Sequence, residues 1–248
     1  MKIVCKVCHL KTSFFITLIV VAVIAIYSFA GKNAGWQAGL NGSYWSEGRS
    51  DTSYLIAISD NYFSYTAFNK AKKQFYFTWG GPLQSSGDGM MLPVEFNSLD
   101  SAAVGQVLRV QIQADQQGLL FFGHQYKRAQ ASPSALAGCW RIAGRMQDGK
   151  MTEMPLGPRR TLKLLTNNRF QWMAINIETG AFLGTGGGTY SFKDGKYTEN
   201  IEFFSRDSTR VGQSLSFDAK VENGKWFHAG KSSKGDPISE VWVHLNED

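Results

Sequence analysis

The sequence predicts an all-β fold: two tandem antiparallel β-barrels preceded by an N-terminal apolar helix. Three observations carry this. Apolar and polar residues alternate with a period of two, the chain matches itself without a gap at a fixed offset, and short extended runs are separated by two-residue turn signals.

The leader comes first. Lys2, Lys6 and Lys11 stand there with no acid, followed by an uncharged apolar run from Phe14 to Ala30. Residues 1–30 therefore read as a signal peptide, with Ser28-Phe29-Ala30 as the small-x-small cleavage pattern, or as an uncleaved membrane anchor. The run is at the lower edge of what crosses a hydrocarbon core of ~30 Å. In either case the rest of the chain is expected outside the cytoplasm, secreted or membrane-anchored, because the basic flank stays inside. Cys5 and Cys8 have CxxC spacing but lie in this leader, and Cys139 is the remaining cysteine, so no intramolecular disulfide is expected in the exported part.

The repeat sets the domain organisation. At an offset of 107, Leu55–Gly123 aligns with Leu162–Gly230, and about 20 of roughly 69 positions are identical. The densest stretch pairs Glu95, Phe96, Ser98, Asp100, Ser101, Val104, Gly105, Gln106 and Leu108 with Glu202, Phe203, Ser205, Asp207, Ser208, Val211, Gly212, Gln213 and Leu215. A period of this length is a duplicated domain rather than a solenoid. The expected units are 39–128, shorter or flattened, and 136–248, a complete barrel, joined by the linker Gln130–Ala135.

Within the second unit, Leu215, Phe217, Ala219 and Val221 alternate with Ser216, Asp218 and Lys220, so one face is buried and the other wet. Asp148-Gly149, Asn167-Asn168, Asp194-Gly195 and Asn223-Gly224 are hairpin signals. They delimit eight strands near 139–146, 160–166, 169–177, 181–192, 196–205, 214–222, 225–231 and 238–245. Such a set suits an up-and-down barrel, whose closure removes sheet edges. A pair of β-sandwiches is the alternative fold that the same pattern allows.

Gly138-Cys139-Trp140 resembles the G-x-W opening strand of lipocalins and related calycins. Gly187-Gly188-Thr189-Tyr190 and Tyr197–Phe203 resemble uncharacterised bacterial lipocalin-like proteins described as membrane or secreted. The resemblance covers the second unit nearly whole and the first more faintly. It implies small β-barrels with an apolar cavity, and no activity to transfer. In many lipocalins a basic residue on the last strand packs over the G-x-W tryptophan. Here Trp242 and His244 occupy that strand, and Arg128 stands at the corresponding place in the first unit.

Little in the chain points to catalysis. His124, His228 and His244 lie apart in strand sequence, with no metal-ligand spacing, so no metal and no cofactor is expected. Thr185–Thr189 is glycine-rich but lacks the Lys-Ser/Thr ending of a phosphate loop, and reads as a bulge or a close backbone approach. The repeated carboxylates Glu95/Asp100 and Glu202/Asp207 read as strand-end and turn residues. No G-x-S-x-G elbow occurs. The formal charge of +6 includes the three leader lysines, and the other bases are scattered among acids, which excludes a nucleic-acid surface.

The expected function is a non-catalytic extracytoplasmic barrel holding an apolar or amphipathic small molecule. Phe170, Trp172, Phe203 and Phe217 would line the site, with Tyr197 and Glu199 as its polar end. The alternatives are a structural or protein-interaction module with filled barrels and, third, a lipocalin-like enzyme. The membrane is a partner through the N-terminal segment if it stays uncleaved.

Overall fold

The computed structural model describes residues 39–246 apart from Asp88 and Asp148. The leader, its expected helix and its cysteines lie outside the described residues. From Gly39 on, the described chain forms one compact unit.

The first half contributes β1 (Gly42–Glu47), β2 (Ser53–Ser59), β3 (Tyr62–Asn69), β4 (Gln74–Pro82), β5 (Gln84–Ser86), β6 (Gly89–Pro93), β7 (Phe96–Asn97), β8 (Val107–Val110), β9 (Ile112–Ala114), β10 (Gly118–Phe121) and β11 (His124–Arg128). They make a curled sheet in the order β7-β4-β3-β2-β1-β11-β10-β9 and a small sheet β5-β6-β8. Three interruptions separate the sheets: Leu83 between β4 and β5, Val94-Glu95 between β6 and β7, and Gln111 between β8 and β9.

The second half contributes β12 (Gly138–Gln147), β13 (Lys150–Glu153), β14 (Arg159–Leu165), β15 (Arg169–Asn176), β16 (Ala181–Lys193), β17 (Lys196–Phe204), β18 (Ser214–Glu222), β19 (Lys225–Lys231) and β20 (Pro237–His244). β12 and β14 to β20 form an antiparallel barrel that closes where β20 pairs with β12, and β13 is an added hairpin strand absent from the sequence reading. Two turns show why the chain reverses where it does. Asp194 and Gly195, and Asn223 and Gly224, all have positive φ, between 50° and 73°. This left-handed pair matches strand twist, and Asn, Asp and Gly tolerate it best.

The halves share backbone detail at the offset of 107. A register shift falls between Ala67 and Phe68 in the β3–β4 ladder and between Ala174 and Ile175 in β15–β16. Ser98 N donates to Thr78 O, and Ser205 N to Thr185 O, both at 2.9 Å. Asp100 and Asp207 accept from the amides of Ala102 and Thr209, both at 3.0 Å, capping equivalent 3-10 turns.

Buried side chains collect in three places. Tyr44, Ile56, Phe63, Leu92, Leu119 and Phe121 fill the first half, and Trp140, Phe170, Tyr197, Phe217, Trp226 and Trp242 fill the second. The third core joins the halves. There Leu162, Leu164, Met173 and Ile175 meet Ala57, Tyr62 and Phe96, and Phe203 meets Leu55, Phe68 and Phe75. Phe75 and Phe182, themselves 107 apart, stack at 6.5 Å.

At the middle of this junction lies Gln171, 1% exposed. Its Oε1 accepts from Ser64 Oγ at 2.8 Å and Thr66 Oγ1 at 3.1 Å, and its Nε2 donates to Thr78 Oγ1 at 3.0 Å and Thr185 Oγ1 at 3.1 Å. All four bonds an amide can make are present. Arg160 on Glu95 and Lys70 on Glu202, each at 3.0 Å, tie the halves together at the junction's edges.

Candidate functional site

The barrel of the second half is held shut at one place by a ring stack. β12 and β20 place Trp140 opposite His244, and their rings lie 3.8 Å apart. His244 Nδ1 shares a 2.8 Å hydrogen bond with Asp60 Oδ2 from the first half, and Trp140 Nε1 donates to Leu136 O at 2.9 Å. In the first half, β1 and β11 place Tyr44 opposite Arg128. The guanidinium lies 5.1 Å over the Tyr44 ring and donates to its hydroxyl at 2.6 Å. The last strand thus packs a basic side chain over the opening-strand aromatic in both halves, with histidine taking the part of arginine in the second.

Cross-strand registers bring most of the expected lining together. Phe170 faces the same side as Leu165 and Gly188, Tyr197 the same side as Phe217, and Glu199 the same side as Tyr190. Phe170, Tyr197, Glu199 and Phe217 are all at most 5% exposed. Trp172 is half-buried at the end of this row, edge-on to Phe204 at 5.3 Å.

Phe203 does not join them, which corrects the expectation from alternation. In the β16–β17 ladder Gly187 pairs with Phe203 but Gly188 pairs with Ile201, so Glu202 is an extra residue. The bulge inverts the facing of everything beyond it. Ile201 keeps the inward face and Phe203 turns outward, onto Phe68 at 4.8 Å in the junction between the halves. The glycine run explains how the strands come so close. A Cβ on Gly188 would lie 2.0 Å from Asn200 O, and one on Gly187 would lie 2.5 Å from the Phe203 ring.

Glu199, 5% exposed, needs a partner at this depth. It has one: Lys163 Nζ, 2.8 Å from Glu199 Oε1, with the two side chains 8% and 6% exposed. The β14–β15 register puts Lys163 on the Trp172 side, facing inward. Around its ammonium stand the rings of Tyr197 and Trp226 at 5.1 Å, Trp242 at 5.3 Å and Phe217 at 5.8 Å. The sequence reading missed Lys163 because it considered each acid alone. The available signal was its place between Leu162 and Leu164, where the first half has Ile56 between Leu55 and Ala57.

The remaining polar groups of the interior are tightly enclosed. Burial, then Lys163, holds the His228 imidazole below its ordinary range, against the opposing pull of Glu240 and Glu199. His228 Nδ1 lies 3.6 Å from Glu240 Oε2, an electrostatic contact too long for a hydrogen bond. Burial and then the Glu199 charge push the Tyr197 phenol well up, so it stays protonated. Tyr197 Oη, Trp226 Nε1 and both His228 nitrogens have no hydrogen-bond partner among the described residues. Burial, with Asp60 and Glu95, likewise pushes the Cys139 thiol up, away from thiolate chemistry.

Glu95 and Glu202 are occupied structurally. Glu95 accepts from Tyr62 Oη at 2.9 Å and from Arg160, and Glu202 from Arg169 at 2.7 Å and from Lys70. Burial alone would raise the Glu202 carboxyl, but Arg169 and Lys70 outweigh it and hold it below its usual range. Among the described residues no group of three or more His, Cys, Asp or Glu stands together to hold a metal.

Fold and site together define an all-β protein with a closed eight-stranded antiparallel barrel and a curled half-barrel, the barrel interior carrying an ion pair in an aromatic surround. Comparison with known families adds a match of residues 135–248, the whole closed barrel, to a domain of unknown function (DUF4488). No curated protein matches the chain.

Proposed function

We propose that this protein is non-catalytic and extracytoplasmic, and that the interiors of its lipocalin-like barrel and half-barrel are framework, so that it acts through its outer surface as a structural or protein-interaction module. The observation that carries this reading is the position of Lys163. The aromatic surround and carboxylate that suit the head of a cationic or hydrogen-bonding ligand already hold an ammonium belonging to the chain. Behind it Trp140, Trp226, Trp242, Tyr197 and Phe170 are each at most 2% exposed and meet ring to ring, with Tyr197 5.1 Å and Trp140 5.7 Å from Trp226. Side chains fill the volume that a lipocalin ligand would take. The leader lysines and the uncharged run after them support the extracytoplasmic part.

The test is a chemical-rescue titration followed by tryptophan fluorescence. Wild type should show no saturable response to butylamine, butyrate or a sterol-like probe. Lys163→Ala, checked by circular dichroism for a retained fold, should acquire saturable butylamine binding and no butyrate binding, because four rings and Glu199 remain. A wild-type response to any of these probes that disappears in Glu199→Gln would overturn the filled-interior reading. For location, N-terminal sequencing of the fractionated product decides: a soluble cytoplasmic protein beginning at Met1 contradicts export.

A further inference from the structure

The junction between the halves is built like the interface of a two-fold dimer. In such an interface a residue i of one copy meets j of the other, j meets i in return, and residues on the axis meet their own equivalents. At the offset of 107 the junction does the same. Ser64 donates to Gln171, its own equivalent, at 2.8 Å, and Phe75 stacks on Phe182, its own equivalent, with the ring planes 6° apart. Thr78 and Thr185, a third such pair, both accept from the one Gln171 amide. Away from this line the contacts are exchanged. Phe96 shares a core with Leu162 and Ile175 of the second half, and Phe203 shares one with Leu55 and Phe68 of the first, the equivalents of those two residues. The opening strands follow the rule as well. Cys139 N donates to Asp60 in the β2–β3 turn at 3.0 Å, and Ser43, at the corresponding place in β1, donates to Asn168 in the equivalent β14–β15 turn at 3.3 Å.

The chemistry of the face survives copying. Arg160 is bonded to Glu95, and the equivalent of Glu95 is Glu202, so a second copy of the closed barrel would offer Arg160 a carboxylate at the same place. On the axis Gln171 would meet Gln171 of the second copy, and two amides satisfy each other with one N–H···O bond in each direction. Copying the face enlarges Ser64 and Thr66 to Gln171 and Met173 and shrinks Phe68 and Lys70 to Ile175 and Ile177, so volume is lost and gained together. No acid is set against an acid by the exchange of Glu95 for Glu202.

We infer that the β14–β17 face of the closed barrel is a self-recognition surface whose partner is a second copy of the same barrel, and that in this chain the first half sits in that copy's place, tethered by the linker Gln130–Ala135. A short tether holds its partner at an effective concentration in the millimolar range, so the intact chain pairs with itself and stays monomeric. The surface lies outside the barrel, so it does not depend on the interior being filled.

The test uncovers the surface without altering it. In a full-length chain carrying Cys5→Ser, Cys8→Ser and Cys139→Ser, the changes Ser64→Glu and Phe75→Glu set two acids into the buried junction from the first half's side alone. Light scattering on a size-exclusion column should give a monomer for the parent and a doubled mass for the variant, with near-ultraviolet dichroism of Trp140, Trp226 and Trp242 checking that the closed barrel is retained. Adding Phe182→Cys should join the two copies by a disulfide at position 182, whereas Phe227→Cys, on β19 outside the junction, should not. Adding Arg160→Glu should return the variant to a monomer, because it sets an acid opposite Glu202 of the second copy. A milder release keeps every junction side chain native: a protease site is inserted between the exposed Ala131 and Ser132 and cut. Native mass spectrometry of the cut protein should show the two halves paired with each other, together with the second half paired with itself. A monomeric variant with its barrel retained, cross-linking at position 227 as fast as at 182, a dimer indifferent to Arg160→Glu, or a cut protein without paired second halves would each overturn the proposal.

Discussion

The two halves share a backbone frame and differ in what they bury. Where the second half has Lys163 and Glu199, the first has Ile56 and Leu92 at the same offset, both in its apolar core. Phe121 stands where the second half has His228, Leu119 where it has Trp226, and Met90 where it has Tyr197. The charged and apolar versions change as a pair: neither half carries a lone acid or a lone base at these positions. A lone buried charge is costly, whereas a matched pair and an apolar pair of similar volume have comparable stability. The ion pair is therefore one of two solutions to filling the frame, and the fold does not require it.

Several measurements would break or sharpen this comparison. The largest effect is expected from removing the first half altogether. Residues 136–248 alone expose Leu162, Leu164, Met173, Ile175 and Phe203, which are buried against the first half. Uncovered apolar faces of this kind associate. Size-exclusion chromatography should show a dimer or larger species, and a monomer with a cooperative melt would mean that the junction contributes little.

Next is the ion pair itself. Lys163→Met should destabilise by about 3–5 kcal/mol in urea unfolding, since it leaves Glu199 buried without its partner. The double change Lys163→Ile with Glu199→Leu, which copies the first half, should recover most of that loss. A double variant no better than the single one would show that the two interiors are not interchangeable.

A smaller effect is expected from His228. Its folded pKa is lowered by burial and by Lys163, while the unfolded chain takes up a proton near the ordinary value of about 6.5. Below that pH the unfolded state binds more protons than the folded one, so stability falls as pH drops through it. His228→Phe, copying Phe121, should flatten the melting temperature between about pH 6.5 and 5. A second loss, at lower pH, should survive in that variant. It belongs to Glu202, whose value, lowered by Arg169 and Lys70 against the effect of burial, gives stability that is present above its unfolded range and lost on acidification through the folded one.

The smallest effect concerns a turn. Phe122 is 63% exposed with φ 48°, beside Gly123 at 75°. The second half reverses at Asn223-Gly224 in the same left-handed geometry with a residue that tolerates it. Phe122→Asn should stabilise by about 0.5–1 kcal/mol in urea unfolding. A loss instead would mean that the ring contact with Phe121 at 4.3 Å matters more than the backbone.

Much of the fold was legible in the amino-acid sequence, because period-two alternation and Asn-Gly or Asp-Gly turns are local. β18 and β19 begin and end at the expected residues, and the pairing of β20 with β12 closes the expected barrel. The candidate site was legible only in part. Phe170, Tyr197, Glu199 and Phe217 meet inside because their strands run uninterrupted over those residues. Phe203 lies beyond the Glu202 bulge, and an inserted residue shows itself only in the pairing with the neighbouring strand. What the sequence by itself determined was which residues share a face within an unbroken strand, and where the chain turns. The tertiary structure decided which strand segments face each other. That joined Lys163 to Glu199 across 36 residues and Gln171 to Ser64 across 107, because partners so distant in sequence are chosen by barrel closure and by the packing of the halves.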